Sequence, residues 1–195
     1  MKLLLYCTKA KPILRDYRGK AIYNRFVISP TDRPFTSDDT QPILNGKIVA
    51  ECDFEVEEIK YFDDDFGEGE LYTETLNIEE LEERSCVGRN DLSFYLANKY
   101  SYKGYAIHIK NLHIFDKPKE LNEYYGLIPK KVNTLNGSCY INESIDNAPQ
   151  NMMYAIDDND NEYVLISIQP QWLCKILNGE KTIEVRKQVL KEMIK

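Results

Sequence analysis

The segment that most constrains the fold lies near the end of the chain, at residues 163–187. Residues 164–168 form a short apolar, β-branched run that is typical of a buried strand. Pro170 suits the first turn of a helix, and Asn178-Gly179 supplies residues that end a helix in the left-handed conformation. The segment therefore predicts a strand, a short helix, a tight turn and a second strand.

The second strand carries the candidate functional side chains. Because side chains alternate along a strand, we expect Thr182, Glu184 and Arg186 on one face, with Lys181 at its mouth. Lysine and arginine can pair with phosphate or polarise a carbonyl, and a carboxylate can accept a hydrogen bond from the exocyclic amine of a base. The alternative is a buried Glu184–Arg186 pair with a structural role alone.

The charge distribution bears on the choice of partner. The chain has a net charge of −7, but residues 51–83 hold 15 of its 32 acidic residues and one basic residue, so the remainder is net +7. Both ends of the chain are basic, including Lys9 and Lys187. If the fold brings the ends together, they form a basic patch able to meet phosphate. The alternative is ordinary solvated charge.

Length and residue usage favour one domain spanning residues 1–195, although two small domains remain an alternative. The sequence has no apolar run of about 18 residues and no signal peptide, which predicts a cytoplasmic protein without a membrane partner. Five scattered cysteines and two histidines argue against a disulfide framework and a zinc site, and we expect no cofactor. The acidic stretches at 63–70 and 157–162 fail the EF-hand pattern and are interpreted as a solvated loop and a turn.

Elsewhere the pattern predicts alternating strands and two short helices. Asn77 is expected to cap a helix at 78–84, and Asn90 or Asp91 a helix at 92–99. His108 is expected on the polar face of its strand, as a hydrogen-bonded structural residue in preference to a catalytic one. The predicted strands lie at 2–6, 21–28, 47–56, 104–110, 112–115 and 152–156.

The terminal segment resembles the signature of the ASCH family, in particular its Gly-Glu-Lys-Thr-x-Glu-x-Arg run at residues 179–186. Other segments, such as Leu-Tyr-Cys-Thr-Lys at 5–9 and Asn-Gly-Lys-Ile-Val-Ala-Glu at 45–51, are similar to members from phage and bacterial genomes. The resemblance implies an α+β, PUA-like fold: a mixed β-barrel or pseudo-barrel with short flanking helices. In the family the signature comes first, whereas here it comes last.

Three interpretations of this order compete. In a circular permutation, the terminal strand, helix and strand pack beside residues 1–8 of the same chain. In a domain swap, they complete a second copy, so the protein is a monomer in the first case and a swapped dimer in the second. In a truncated tandem, they begin a second, unfinished domain. We rank them in that order, because a first domain without its signature strand would leave a sheet edge unfilled.

The resemblance implies a nucleic-acid or nucleotide-binding module that holds RNA or a modified base in a cleft lined by the signature strand. The binding residues would be Tyr6, Lys9, Lys181, Arg186 and Lys187, with Tyr6 stacking on a base.

Two alternatives remain open, and whether the protein is an enzyme is left undecided. One is a hydrolase acting on RNA or on a modified nucleoside of the acetylcytidine type, with Lys181, Thr182 and Glu184 as catalytic residues; Glu184 stands where the family's motif places a threonine nucleophile. The other is a protein-interaction module that uses the acidic residues 51–83.

Overall fold

A computed structural model of the protein describes residues 1–8, 14–15, 21–22, 46–63, 69–97, 103–127, 130–134 and 137–194. Three α-helices lie in these ranges: α1 (Ile78–Ser85), α2 (Arg89–Leu96) and α3 (Pro170–Leu177). Single 3₁₀ turns lie at Leu121–Glu123 and Lys191–Met193. The strands are β1 (Lys2–Cys7), β2 (Leu14–Arg15), β3 (Ala21–Ile22), β4 (Ile48–Asp63), β5 (Gly69–Tyr72), β6 (Gly104–Lys119), β7 (Tyr125–Gly126), β8 (Lys130–Thr134), β9 (Gly137–Ile141), β10 (Met152–Ile156), β11 (Glu162–Ile168) and β12 (Ile183–Arg186).

Eight strands form a mixed sheet. Seven follow the order β12-β6-β4-β1-β11-β10-β7, and β5 pairs with β4. Strand β11 runs parallel to β1, whereas β10 and β12 run antiparallel to their neighbours. The predicted α+β class is confirmed, and the path of strands does not close within the described ranges. The hairpins β2–β3 and β8–β9 form two further small sheets.

The chain divides into two compact units, each built from separate stretches of sequence. The first unit contains Met1–Cys52 and Leu112–Cys174. Strand β1 occupies its middle, because β11 binds one edge of β1 and β4 binds the other. The core of this unit contains Leu4, Tyr6, Ile48, Phe115, Tyr124, Ile145, Ala155 and Leu165.

Part of the terminal segment thus packs beside the first strand of the same chain. Leu3 lies opposite Val164 and Leu5 opposite Ile166 in the parallel β1–β11 pair. The second strand of the segment lies elsewhere: β12 pairs with β6. A strand has two edges, and those of β1 are occupied by β11 and β4, so β12 cannot join it.

The local structure of the terminal segment follows the prediction closely. Helix α3 begins at Pro170, and the N–H groups of Trp172 and Leu173 both donate to the carbonyl of Gln169. Gly179, with φ +76°, follows the helix, and its N–H donates to the carbonyl of Ile176. A left-handed residue at this position ends the helix and redirects the chain into β12.

The second unit contains Asp53–Asn111 and Lys175–Lys195. Asn77 caps α1 as predicted: its side chain accepts from the N–H of Glu80, whose carboxylate accepts from the N–H of Asn77. The core of the unit contains Ile59, Leu71, Leu76, Ile78, Leu81, Leu92, Leu96, Ala106, Ile183 and Val185.

Two predictions in this unit were wrong in their boundaries. Helix α2 begins at Arg89, not after Asn90 or Asp91, because Gly88 is its N-cap and the carboxylate of Glu82 accepts from the N–H of Arg89. The strands predicted at 104–110 and 112–115 form the continuous β6. Asn111 stays within that strand at φ +48°, and its amide donates to Asp53 at 2.8 Å.

Candidate functional site

The residues predicted to be functional converge most clearly around β12, within the second unit. Ile183 and Val185 are buried in the apolar core, so the strand carries Glu184 and Arg186 to its other face. Glu184 Oε1 lies 2.9 Å from Arg186 Nε, and Glu184 Oε2 lies 3.4 Å from Lys181 Nζ. We call Lys181, Glu184 and Arg186 the β12 cluster.

The β12 cluster is largely removed from water. The side chains of Lys181, Glu184 and Arg186 are 2%, 9% and 14% exposed. A buried carboxylate is costly unless cations and hydrogen-bond donors compensate its charge. The sequence predicted the Glu184–Arg186 pair from the two-residue period, and their side chains do meet.

Lys181 also reaches the end of α1. Its Nζ donates to the carbonyl of Ser85 at 2.6 Å, and the next residue, Cys86, is the left-handed C-cap of the helix at φ 55°. Carbonyls at a helix C-terminus carry partial negative charge and favour a cation there. Burial lowers the pKa of Lys181 below its ordinary value of 10.5, and the nearby Glu184 opposes this change. Lys181 therefore fastens β12 to α1.

Thr182 belongs to the same attachment. Its N–H donates to the carbonyl of Arg84 at 2.9 Å, and its hydroxyl accepts from Arg84 Nε at 3.2 Å. Thr182 precedes β12, so the alternation of the strand does not fix its side chain beside Glu184 as the sequence suggested. Within these contacts the hydroxyl serves as a hydrogen-bond acceptor for a guanidinium.

A second polar cluster surrounds His108. His108 lies opposite Ile183 in the β6–β12 pair, which places it on the same face as the apolar core and not on a polar face. Both faces of β6 are buried here, since Ala106 and Ile107 are both 0% exposed, so the alternation in the sequence could not tell the two faces apart.

His108 is held from both ring nitrogens. Its Nε2 contacts the carboxylate of Glu57, and its Nδ1 lies 3.4 Å from Arg84 Nη2. Because a guanidinium can only donate, Nδ1 is the acceptor in its contact with Arg84. His108 is thus hydrogen-bonded, as predicted.

Glu57 is fixed by the loop after β5. Thr75 donates to it from its hydroxyl at 2.6 Å and from its N–H at 3.1 Å. Burial alone would raise the pKa of Glu57, but hydrogen bonds from Thr75 and Thr73 and the proximity of His108 lower it below 4.5. Glu57 and Arg84 were not predicted as site residues. Their partners lie far away in sequence, and no local pattern marks them.

Beyond Arg186 the chain reaches a more exposed region beside α2. Lys187 Nζ lies 5.2 Å from the centre of the Tyr95 ring, within the range of a cation–π contact. The Tyr95 side chain is 41% exposed and that of its neighbour Phe94 is 87% exposed. We call Phe94, Tyr95 and Lys187 the α2 patch.

The remaining predicted binding residues belong to the first unit or to undescribed sequence. Tyr6 is 4% exposed and packs in the core of the first unit, and burial, together with the nearby Cys7, raises its pKa. Its ring therefore offers little surface for stacking. Lys9 lies outside the described residues.

The acidic stretch at 157–162 forms a turn between β10 and β11, which agrees with the interpretation preferred over calcium. The Asp157 carboxylate accepts from the N–H groups of Asn159 and Asn161 and from the hydroxyl of Tyr163. Most of the stretch at 63–70 lies outside the described residues. Within the described ranges, no three His, Cys, Asp or Glu side chains are grouped to hold a metal ion.

No family model matches the sequence, and neither a curated protein nor a solved structure is significantly similar to it. The helices in the described part of the chain are all too short or too polar to cross a membrane.

Proposed function

We propose that the protein binds nucleic acid or a nucleotide through its second unit, at the end of β12. The observation that carries the proposal is the β12 cluster, in which Lys181 and Arg186 both contact Glu184. The three side chains together bear a net positive charge in a largely dehydrated setting, where attraction for an anion is stronger than in water. Arg186 and the exposed Lys187 continue this charge toward the surface.

We also propose that the protein has the PUA-like fold that its ASCH resemblance implies. In it, the mixed sheet is the open counterpart of a PUA-like pseudo-barrel, and β12 lines the ligand cleft. The order of β11, α3 and β12 supports this assignment, because the signature's strand, helix and strand follow one another as the resemblance implies.

Hydrolysis of RNA or of a modified nucleoside is the weaker proposal. The lowered pKa of Lys181 favours it. However, Lys181 Nζ donates to Ser85 and the Thr182 hydroxyl accepts from Arg84. Both groups are therefore committed to the attachment of β12 to α1.

A protein-interaction role for the acidic stretch 51–83 is likewise weaker than the binding proposal. Many of its carboxylates form ion pairs inside the second unit. Arg89 alone contacts Glu70 at 3.4 Å, Glu79 at 2.8 Å and Glu82 at 3.6 Å. Such pairing reduces the negative field that a basic partner would meet.

Fluorescence anisotropy with a labelled single-stranded RNA tests the binding proposal. The wild-type protein should bind at low salt and lose affinity as salt rises, because bound phosphates release counterions. Lys187→Gln should weaken binding and reduce the slope of log K against log salt by about 1 if the lost cation contacts a phosphate.

Lys60→Gln is the matched control. It removes the same charge from the same unit. Lys60 lies on β4, where it pairs with Glu74 of the loop after β5 and is not part of the β12 cluster or the α2 patch. Its affinity should stay close to that of the wild type, with all variants showing the wild-type circular dichroism spectrum. Absence of salt-sensitive binding by the wild-type protein at low ionic strength would sink the proposal.

A further inference from the structure

The α2 patch is an unusual surface for a folded protein. Phe94 is 87% exposed, although phenylalanine is among the residues most often buried. Its position explains the exposure: Leu92 and Leu96 point α2 into the core at 1% exposure each, and Phe94 lies midway between them on the helix, on the opposite face. Phe94 therefore lies on the solvent-facing side of α2.

The end of α2 lies beside the end of β12. A Cβ added to Gly104 would lie 2.3 Å from Leu96 Cδ2 and 3.3 Å from the carbonyl oxygen of Arg186, so α2, β6 and β12 approach one another closely at this point. The N–H of Lys103 donates to the carbonyl of Leu96, which brings another exposed lysine to the same end of the helix.

Cations and exposed aromatic rings thus share one region of the second unit. Lys187 is held over Tyr95, and Arg186 precedes it in the chain. Proteins that bind single-stranded nucleic acid combine these two elements: cations follow the phosphates, and aromatic rings stack on the bases. A duplex offers its phosphates but keeps its bases stacked inside, so it cannot use the rings.

We propose that the α2 patch is a base-stacking platform for single-stranded nucleic acid, with Phe94 and Tyr95 stacking on unpaired bases and Lys187 contacting the phosphate backbone. The inference rests on the proposed function and specifies its ligand: a single strand, and neither a free nucleotide nor a duplex.

The test compares a fluorescein-labelled oligouridine of about 12 nucleotides with a duplex of the same length, a span within the range bound by compact single-strand-binding folds. Phe94→Ala should bind the single strand on the order of tenfold more weakly than the wild type, which matches the loss of about one stacked base. The salt dependence of its binding should be unchanged, because no charge is lost. Phe94→Trp should retain affinity, and its added tryptophan fluorescence should be quenched by the oligouridine.

Tyr72→Ala is the matched control. Tyr72 is a 38% exposed aromatic residue of β5 in the same unit, and its removal should leave affinity unchanged. Because Phe94 and Tyr72 are both exposed, neither variant should lose its fold, which circular dichroism verifies.

The outcomes separate this inference from the proposed function. Salt-sensitive wild-type binding that Phe94→Ala leaves intact would overturn the platform alone. If Phe94 instead docks a protein partner, Phe94→Ala would likewise leave RNA binding intact. Equal affinity for the single strand and the duplex would also overturn the platform. Absence of binding by the wild type would overturn both proposals.

Discussion

The β12 cluster makes a quantitative prediction about stability. Glu184→Gln keeps the size of the side chain and removes its charge, leaving Lys181 and Arg186 without the carboxylate that both contact. At the observed separations of 3.4 Å and 2.9 Å, each contact has a Coulomb energy of about 5 kcal/mol at an effective dielectric constant of about 20, before desolvation is subtracted. Breaking a buried pair by removing one partner has a net cost of about 3–5 kcal/mol.

Urea unfolding followed by circular dichroism measures this cost. With a slope of about 2–3 kcal/mol per molar urea, the midpoint of Glu184→Gln should fall by about 1–2.5 M. Glu180→Gln is the control, because it is the same substitution at an exposed position four residues earlier. Surface changes of this kind alter stability by about 0.5 kcal/mol or less.

Lys181→Met tests the reasoning further. It removes the bond to the Ser85 carbonyl, a loss of about 1–3 kcal/mol, but leaves Glu184 paired with Arg186. The expected order of destabilisation is Glu184→Gln, then Lys181→Met, then Glu180→Gln. The reasoning is refuted if Glu184→Gln unfolds at the same urea concentration as Glu180→Gln, or if Lys181→Met is the least stable of the three.

Three further predictions concern the scaffold. Asn77→Ala should lower the free energy of unfolding by about 1 kcal/mol in urea titrations, because it removes the side-chain acceptor for the Glu80 N–H; an unchanged midpoint would deny the cap its role. Gly104→Ala should cost about 1–3 kcal/mol by crowding the core, whereas Gly88→Ala, where an added Cβ meets nothing within 4 Å, should be nearly neutral; equal effects would contradict the packing. Burial and the neighbouring Cys174 raise the pKa of Cys7 from 9.0 to about 12 in the folded protein. Because the unfolded chain loses this proton at lower pH, the folded state gains stability below pH 9 that is lost as the pH rises toward 12. Cys7→Ala should therefore lose less stability than the wild type between pH 9 and 12, and parallel stability curves in that range would exclude this contribution.

The sequence predicts the terminal segment well because its structure depends on near neighbours. Pro170 and Gly179 set the ends of α3 through backbone geometry alone, and alternation then separates Glu184 and Arg186 from Ile183. The Asn77 cap is equally local, since its partner is three residues away.

The rest of the site depends on contacts between distant residues. Lys181 binds a carbonyl 96 residues earlier, and Arg84 reaches Thr182 across 98 residues. Composition and periodicity carry no information about such pairs. The start of α2 shows the same limit. The carboxylate of Glu82, seven residues earlier, accepts from the N–H of Arg89, so the helix begins before the predicted caps Asn90 and Asp91.

These attachments decide which variants can report on binding. Lys181 and Thr182 join β12 to the last turn of α1, and Glu184 neutralises charge in a buried setting. Variants at these positions can displace the strand that is proposed to carry the ligand site. Loss of binding in such a variant therefore does not distinguish a lost ligand contact from a displaced strand. Lys187 and Phe94 are exposed. Loss of binding in their variants, with the fold intact, therefore isolates recognition from stability, and these two positions provide the direct test of what the second unit binds.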